Sequence, residues 1–249
     1  MSFLHKLGLG IGNGATRGVS LPVPSNSRSH TPGAPISAMG TARAGQSHEA
    51  TRVSNGLKEF LWNLDGVEKG SLLDLGPAWQ TTLSFFIERG FRVSSEDFLR
   101  GWKAFLIEEE TRLQNDASAR ETLDMTASGR ATRFLAENLQ YPRASFDAVL
   151  LWDLLDYLEP VLVKRMVASL TELLRPGGVI LAMFHSKKPE GFQRYRVADS
   201  STLQVVSTAV ICPAQKVYQN REIQDLFGRF RTMKSFVGRD QLRETLFIK

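Results

Sequence analysis

Cysteine is nearly absent from this chain: Cys212 is the only one in 249 residues. A disulfide framework within the chain and a multi-cysteine metal site are both excluded, and a reducing, cytoplasmic setting is expected. Long apolar runs are missing as well. The longest useful ones, over 148–152 and 179–184, fall far short of the ~18 residues of a membrane span and suit buried strands. Histidine is scarce; His5, His30 and His48 crowd the start and leave His185 alone in the rest, so no histidine-based metal site is expected there. Residues 1–48 lack acid altogether, with four basic side chains before the first carboxylate, Glu49. The formal charge of +5 therefore shrinks to 27 basic against 26 acidic residues, net +1, over 49–249. A body so close to neutral lacks the clustered cationic excess of a nucleic-acid surface. Eight basic against four acidic side chains over 213–249 leave room only for a small local patch.

What is present divides the chain in two. Residues 1–48 hold eight Gly, four Pro and seven Ser, a composition that cannot bury enough apolar surface to offset chain entropy. A flexible tail over 1–50 is expected, followed by one domain over 51–249. The glycines Gly8, Gly10, Gly12 and Gly14 imitate a phosphate-cradling loop. Such a loop follows a buried strand and opens a helix, and neither pattern flanks them.

From Ser54 onward the periodicity is regular. Leu57, Phe60, Leu61 and Leu64 predict a helix, 71–75 a buried strand, 81–89 a helix stopped by Gly90, and 91–95 a second strand. A helix is expected from Phe98 to about Leu113, then a polar stretch. Residues 146–152 read as a strand and 161–174 as an amphipathic helix. Arg175-Pro-Gly-Gly178 reads as a turn and 179–184 as a strand. Near the end, Asn220 is placed to cap a helix, and two strands over 232–237 and 242–248 form a hairpin around Gly238-Arg-Asp240. Strands alternating with helices and closing in a hairpin predict an α/β, doubly wound, Rossmann-like and mainly parallel sheet with an antiparallel C-terminal hairpin strand. Ligands of such sheets lie at the carboxyl ends of the strands where the strand order reverses. That end comprises 76–80, Glu96 and Asp97, the segment near Asn138, and 152–156.

The segments involved are Leu72-Leu-Asp74-Leu-Gly76, Gly90-Phe-Arg-Val-Ser-Ser-Glu96-Asp97, Ala136-Glu-Asn138-Leu139 with Ser145-Phe-Asp-Ala-Val-Leu-Leu-Trp152-Asp153, and Leu173-Leu-Arg-Pro-Gly-Gly178-Val-Ile-Leu181. In this order they resemble the class I S-adenosylmethionine-dependent methyltransferases over roughly residues 70–185. The resemblance implies a seven-stranded sheet and S-adenosylmethionine as cofactor. It implies cofactor contacts from Asp74, Gly76, Pro77, Trp79, Gln80, Glu96, Asp97, Asn138, Leu139 and Trp152. A ribose diol suits a carboxylate, and Asp97 lies 21 residues after Gly76, near the ~20 of a dinucleotide-type site. Glu96 points to the other side of an extended strand; the plainer reading of either is a solvated acid at a strand end.

Asp153 and His185 are the candidate catalytic residues. Asp153 or Asp156 could serve as a base or orient a nucleophile, or Asp153 could simply cap the short helix that Leu154, Leu155 and Leu158 suggest. His185, just past a strand, faces the substrate edge of the sheet or is structural. The expected activity is methyl transfer to an unidentified small-molecule or peptide acceptor, with neither a nucleic-acid nor a membrane partner.

The loop departs from the family's Gly-x-Gly-x-Gly at Ala78 and Gln80, Pro77 removes an amide donor, and Leu135 stands where the family often has an Asp. These departures motivate an alternative, a non-catalytic scaffold or interaction domain whose cofactor pocket is filled by Trp79, Gln80 and Leu135. A nicotinamide-dependent oxidoreductase is the third reading, disfavoured by the Arg-Pro-Gly-Gly segment and the terminal hairpin. After the core, Phe192-Gln-Arg194-Tyr195-Arg196-Val197 alternates. It is either a flap over the pocket or a solvated edge strand with protective charges, and the second is expected.

Overall fold

In the computed structural model, which describes residues 50–116, 123–238 and 240–249, period-two alternation builds a central sheet with a different core on each face. The elements run β1 (Ala50–Val53), α1 (Asn55–Asn63), β2 (Ser71–Asp74), α2 (Gln80–Ile87), β3 (Arg92–Ser95), α3 (Phe98–Asn115), α4 (Ala127–Asn138), β4 (Phe146–Trp152), a 3-10 turn (Leu154–Tyr157), α5 (Pro160–Leu173), β5 (Leu174–His185), β6 (Gln193–Val197), β7 (Thr202–Ser207), α6 (Asn220–Leu226), β8 (Thr232–Val237) and β9 (Leu242–Ile248). The central sheet has the order β3-β2-β4-β5-β9-β8. Pairs β2/β3, β2/β4 and β4/β5 are parallel, and β9 runs antiparallel to both β5 and β8. The expected hairpin is therefore present at the stated bounds. The sheet has six strands among the described residues, where the resemblance implies seven. The tail expected over 1–50 and its glycine series lie outside the described residues, Ala50 apart.

Successive residues of β2, β4 and β5 face opposite ways. Leu72, Ala148, Leu150, Leu181 and Met183 pack with Leu57 and Phe60 of α1 and Phe85 and Phe86 of α2. Leu73, Val149, Leu151, Ile180 and Phe184 pack with Phe98 and Trp102 of α3, Phe134 of α4 and Met166 and Leu170 of α5. Each such fully buried aliphatic or aromatic side chain contributes about 1.5–3 kcal/mol. Among the described residues no helix is long and apolar enough to cross a membrane.

Three features depart from the pattern read in the sequence. Residues 175–178 belong to β5 rather than to a free turn. Phe146 pairs with Leu174 and Ala148 with Val179, so the intervening residues bulge, with Gly177 at φ 80°. Residues 127–138, which the sequence did not mark as an element, form α4, capped by the Thr126 hydroxyl, which accepts from the Gly129 amide. Finally, β6 pairs with β7, and β7 with β1, in a separate three-stranded antiparallel sheet of order β1-β7-β6.

Candidate functional site

The strand order reverses between β2 and β4, and the carboxyl ends of these two strands meet through side chains. Asp74, fully buried at the end of β2, accepts at Oδ1 from the Gly76 amide (2.9 Å) and from Trp152 Nε1 (2.7 Å). Its Oδ2 has no partner. Burial pushes the Asp74 carboxyl up to about 6, against the pull of those two hydrogen bonds. Trp152 closes β4 at φ 51°, a left-handed conformation costly for a bulky residue. That backbone turns the indole across Gly76, where an added Cβ would lie 2.6 Å from Nε1.

The rest of the loop is less engaged. Pro77 borders the small space above Trp152. Trp79 precedes α2 with its Nε1 buried and unpartnered, and the Arg196 guanidinium lies 5.4 Å over its ring. Gln80 is exposed and donates to Ser84 within α2. Asp97 is the N-cap of α3. Its Oδ1 accepts from the Arg100 amide (3.3 Å) and from Arg194 Nη2 (2.9 Å). Glu96 is exposed and accepts from the Tyr141 hydroxyl (3.0 Å). Asn138 ends α4 with its amide donating to the Phe134 carbonyl, while Leu139 is buried in the core beside Leu135.

At the ends of β4 and β5 a second cluster forms. Asp156 is fully buried; its Oδ2 accepts from the His185 amide (2.8 Å) and pairs with His185 Nδ1 (2.9 Å). His185 Nε2 lies 3.9 Å from Asp153 Oδ2, a buried atom without a hydrogen-bond partner. Asp153 occupies the cap position of the 3-10 turn, yet its side chain makes no capping bond. The capping role weighed in the sequence is therefore not the one taken. Burial pushes Asp153 up to about 7, against the His185 charge, with Asp156 adding to the rise. Burial alone would lower His185. The hydrogen bond to Asp156 and the charges of both aspartates outweigh it, and the imidazole ends above its ordinary value of 6.5. An ionised Asp156 can only accept, so Nδ1 carries the proton and Nε2 of the neutral ring is the free base. His185 also lines an open cavity of about 370 Å³ with Lys187, Lys188, Gln193 and Tyr195.

The residues that sequence reasoning undervalued come from β6 and from Phe192 just before it. β6 is an edge strand, but it is not solvated. Arg194 is 9% exposed and pairs with Asp97, Phe192 packs edge-on against Tyr157 (centroids 4.9 Å apart), and Tyr195 stacks on Trp152 (6.2 Å, 13°). The space left among Leu75, Pro77, Trp152, Asp153, Tyr157 and Arg194 is about 10 Å³, room for one water at most. It is filled by β6 and not, as the alternative reading expected, by Trp79, Gln80 and Leu135. The available signal was the alternation of Phe192, Arg194 and Arg196, which puts one aromatic and two cations on a single strand face.

No family model and no curated protein matches the sequence. Among solved structures, the chain is similar to the Burkholderia thailandensis 1,6-didemethyltoxoflavin-N1-methyltransferase with bound 1,6-didemethyltoxoflavin and S-adenosylhomocysteine. That likeness has 14% identity over 78% of this chain and 76% of that one, with a TM-score of 0.41. A SAM-dependent methyltransferase from Methanosarcina mazei matches at 13% identity over 73% of this chain and 93% of its own, with a TM-score of 0.38. One from Mesorhizobium loti matches at 13% over 77% and 96%, with a TM-score of 0.40. The order and direction of the strands, with helices packed on both faces, give this chain a doubly wound, Rossmann-like α/β fold.

Proposed function

We propose that this chain transfers a methyl group from S-adenosylmethionine to a hydroxyl or amine of a small molecule or peptide. The observation that carries the reading is His185. Its Nδ1 is fixed by a buried carboxylate, its Nε2 lies 3.9 Å from Asp153, and the residue lines an open cavity of about 370 Å³. A pocket of that size suits a small acceptor or one peptide side chain.

The donor side has chemistry that fits an adenosyl group. Gly76 provides a short loop after β2, Asp97 a carboxylate for a ribose diol, and Asp74 and Trp152 an anionic, aromatic floor. The space itself is taken by β6, so donor binding requires Phe192 and Arg194 to withdraw. When bound, S-adenosylmethionine supplies an electrophilic methyl on a sulfonium. The chain's own residues then do three things. Asp156 holds the imidazole ring, His185 Nε2 receives the acceptor's proton, and the aromatic wall of Trp152 and Tyr157 excludes water. Alignment is the larger contribution in such a transfer, so a single base suffices.

Calorimetric titration with S-adenosylmethionine and S-adenosylhomocysteine tests this reading, with micromolar binding as the expected result. The filled donor space favours a second reading, a non-catalytic interaction domain. Absence of heat at millimolar ligand would establish that one instead.

A further inference from the structure

Four carboxylates gather at one end of the sheet: Asp74, Asp97, Asp153 and Asp156. The Arg243 guanidinium acts on Asp156, and that of Arg194 on the other three. Arg194 Nη2 lies 2.9 Å from Asp97 Oδ1, and its charge acts on both Asp74 and Asp153. Arg194 comes from the small sheet and not from the sheet that carries the acids. It therefore holds the carboxylate that suits a ribose, and it compensates the negative charge of the place where a cationic sulfonium would sit.

The strand that carries it is built to leave. β6 is the outer strand of its sheet, with β7 as its one strand neighbour. Its far end is pinned where the Val197 amide donates to Thr82 Oγ1 (2.9 Å), a fully buried hydroxyl on α2. Its near end follows an exposed run over 186–188, and Gly191 has open space around it. Swinging Phe192 and Arg194 outward about Val197 breaks the Arg194–Asp97 ion pair, the ring contacts of Phe192 with Tyr157 and of Tyr195 with Trp152, and the first pairs of the β6–β7 ladder, while the strand pairing of the central sheet stays intact.

We propose that Arg194 is a tethered competitor of the methyl donor, an affinity-determining residue that occupies Asp97 until the donor displaces it. This rests on the donor-binding reading above. The apparent dissociation constant is the intrinsic one divided by the fraction of molecules in the competent state, so loosening the strand tightens binding. The donor's sulfonium replaces the guanidinium charge among the aspartates. The demethylated product has a neutral sulfur and does not, so it gains less from the loss of Arg194.

The experiment pairs calorimetry, with S-adenosylmethionine and S-adenosylhomocysteine as probes, with amide hydrogen exchange of the ligand-free full chain. Arg194→Gln is expected to bind S-adenosylmethionine about ten-fold tighter than wild type and to exchange faster over 192–197. Arg194→Lys, which keeps the charge but not the fork, falls between the two. Asp97→Asn exchanges as fast as Arg194→Gln but gains no affinity, because it also loses the ribose acid. Equal or weaker donor binding by Arg194→Gln, or unchanged exchange over 192–197, overturns the competition. Faster exchange with no donor binding in any of the four proteins overturns the donor reading itself, and the competition with it.

Discussion

Gly76 leaves its outer face to the indole of Trp152, which sits where a Cβ would lie 2.6 Å from Nε1. Gly76→Ala therefore forces either the indole or the loop to move, and Asp74 loses its indole donor. The expected cost is about 1–3 kcal/mol, read from the denaturant midpoint together with a shift in tryptophan fluorescence. Asp153 supplies a prediction in pH. Its carboxyl moves from 3.8 to about 7 on folding, so between those values the native state binds the extra proton and stability falls as pH rises. Asp153→Asn has no proton to lose. Its melting temperature should match wild type near pH 4 and exceed it increasingly toward pH 8; a gap that stays constant with pH would refute the assignment. For His185 the relevant form is the free base. Methyl transfer should rise with pH through a midpoint above 6.5, and His185→Ala should lose turnover while keeping donor affinity.

At the scale of elements, one buried carboxylate ties α1 and β1 to the central sheet. Glu244 of β9, 2% exposed, accepts from Ser54 Oγ (3.0 Å) and the Gly56 amide (2.5 Å) and pairs with Arg52 (2.9 Å). Glu244→Ala leaves the Gly56 amide without its acceptor and Arg52 with Asp240 as its remaining carboxylate, a loss of about 1–3 kcal/mol. Amide protection should fall first in 50–60; uniform loss of protection across the sheet would contradict this anchoring. Nothing local announced the arrangement, because Ser54 and Glu244 lie 190 residues apart. The central strands were legible because both their faces are buried, which makes the runs 146–152 and 179–184 continuously apolar. The short strands β1 and β7 were not, since β1 is largely exposed and carries no apolar alternation. β6 was legible as a strand but not in its role. Its alternation is local, whereas the acid that buries Arg194 stands 97 residues earlier. The same limit divides the site. Asp153 and His185 could be named from their places after strands, yet their approach to 3.9 Å, and the part of Asp156 in fixing the ring, depend on the register of β4 against β5.

At the scale of the molecule, two sheets meet at the candidate site, and on the proposed reading they respond to the donor in opposite senses. The six-stranded sheet carries Asp74, Asp97, Asp153 and His185 on its strand ends and the loops that follow, while Arg194 and Tyr195 of the three-stranded sheet, with Phe192 just before it, lie against that end. A donor that binds only the native state stabilises it by RT ln(1 + [L]/Kd), about 2.7 kcal/mol at a hundred-fold excess over Kd. For a domain of this size that raises the melting temperature by about 5–10 °C. The same binding pushes β6 off Asp97, so local opening of 192–197 becomes easier while global unfolding becomes harder. Saturating S-adenosylmethionine should therefore raise the melting temperature and, in the same sample, speed exchange or proteolytic cleavage within 186–197. A ligand that merely lay on the closed surface would slow both. A higher melting temperature with slower exchange over 192–197 would place the donor outside β6, and Asp97 would then stay with Arg194 throughout.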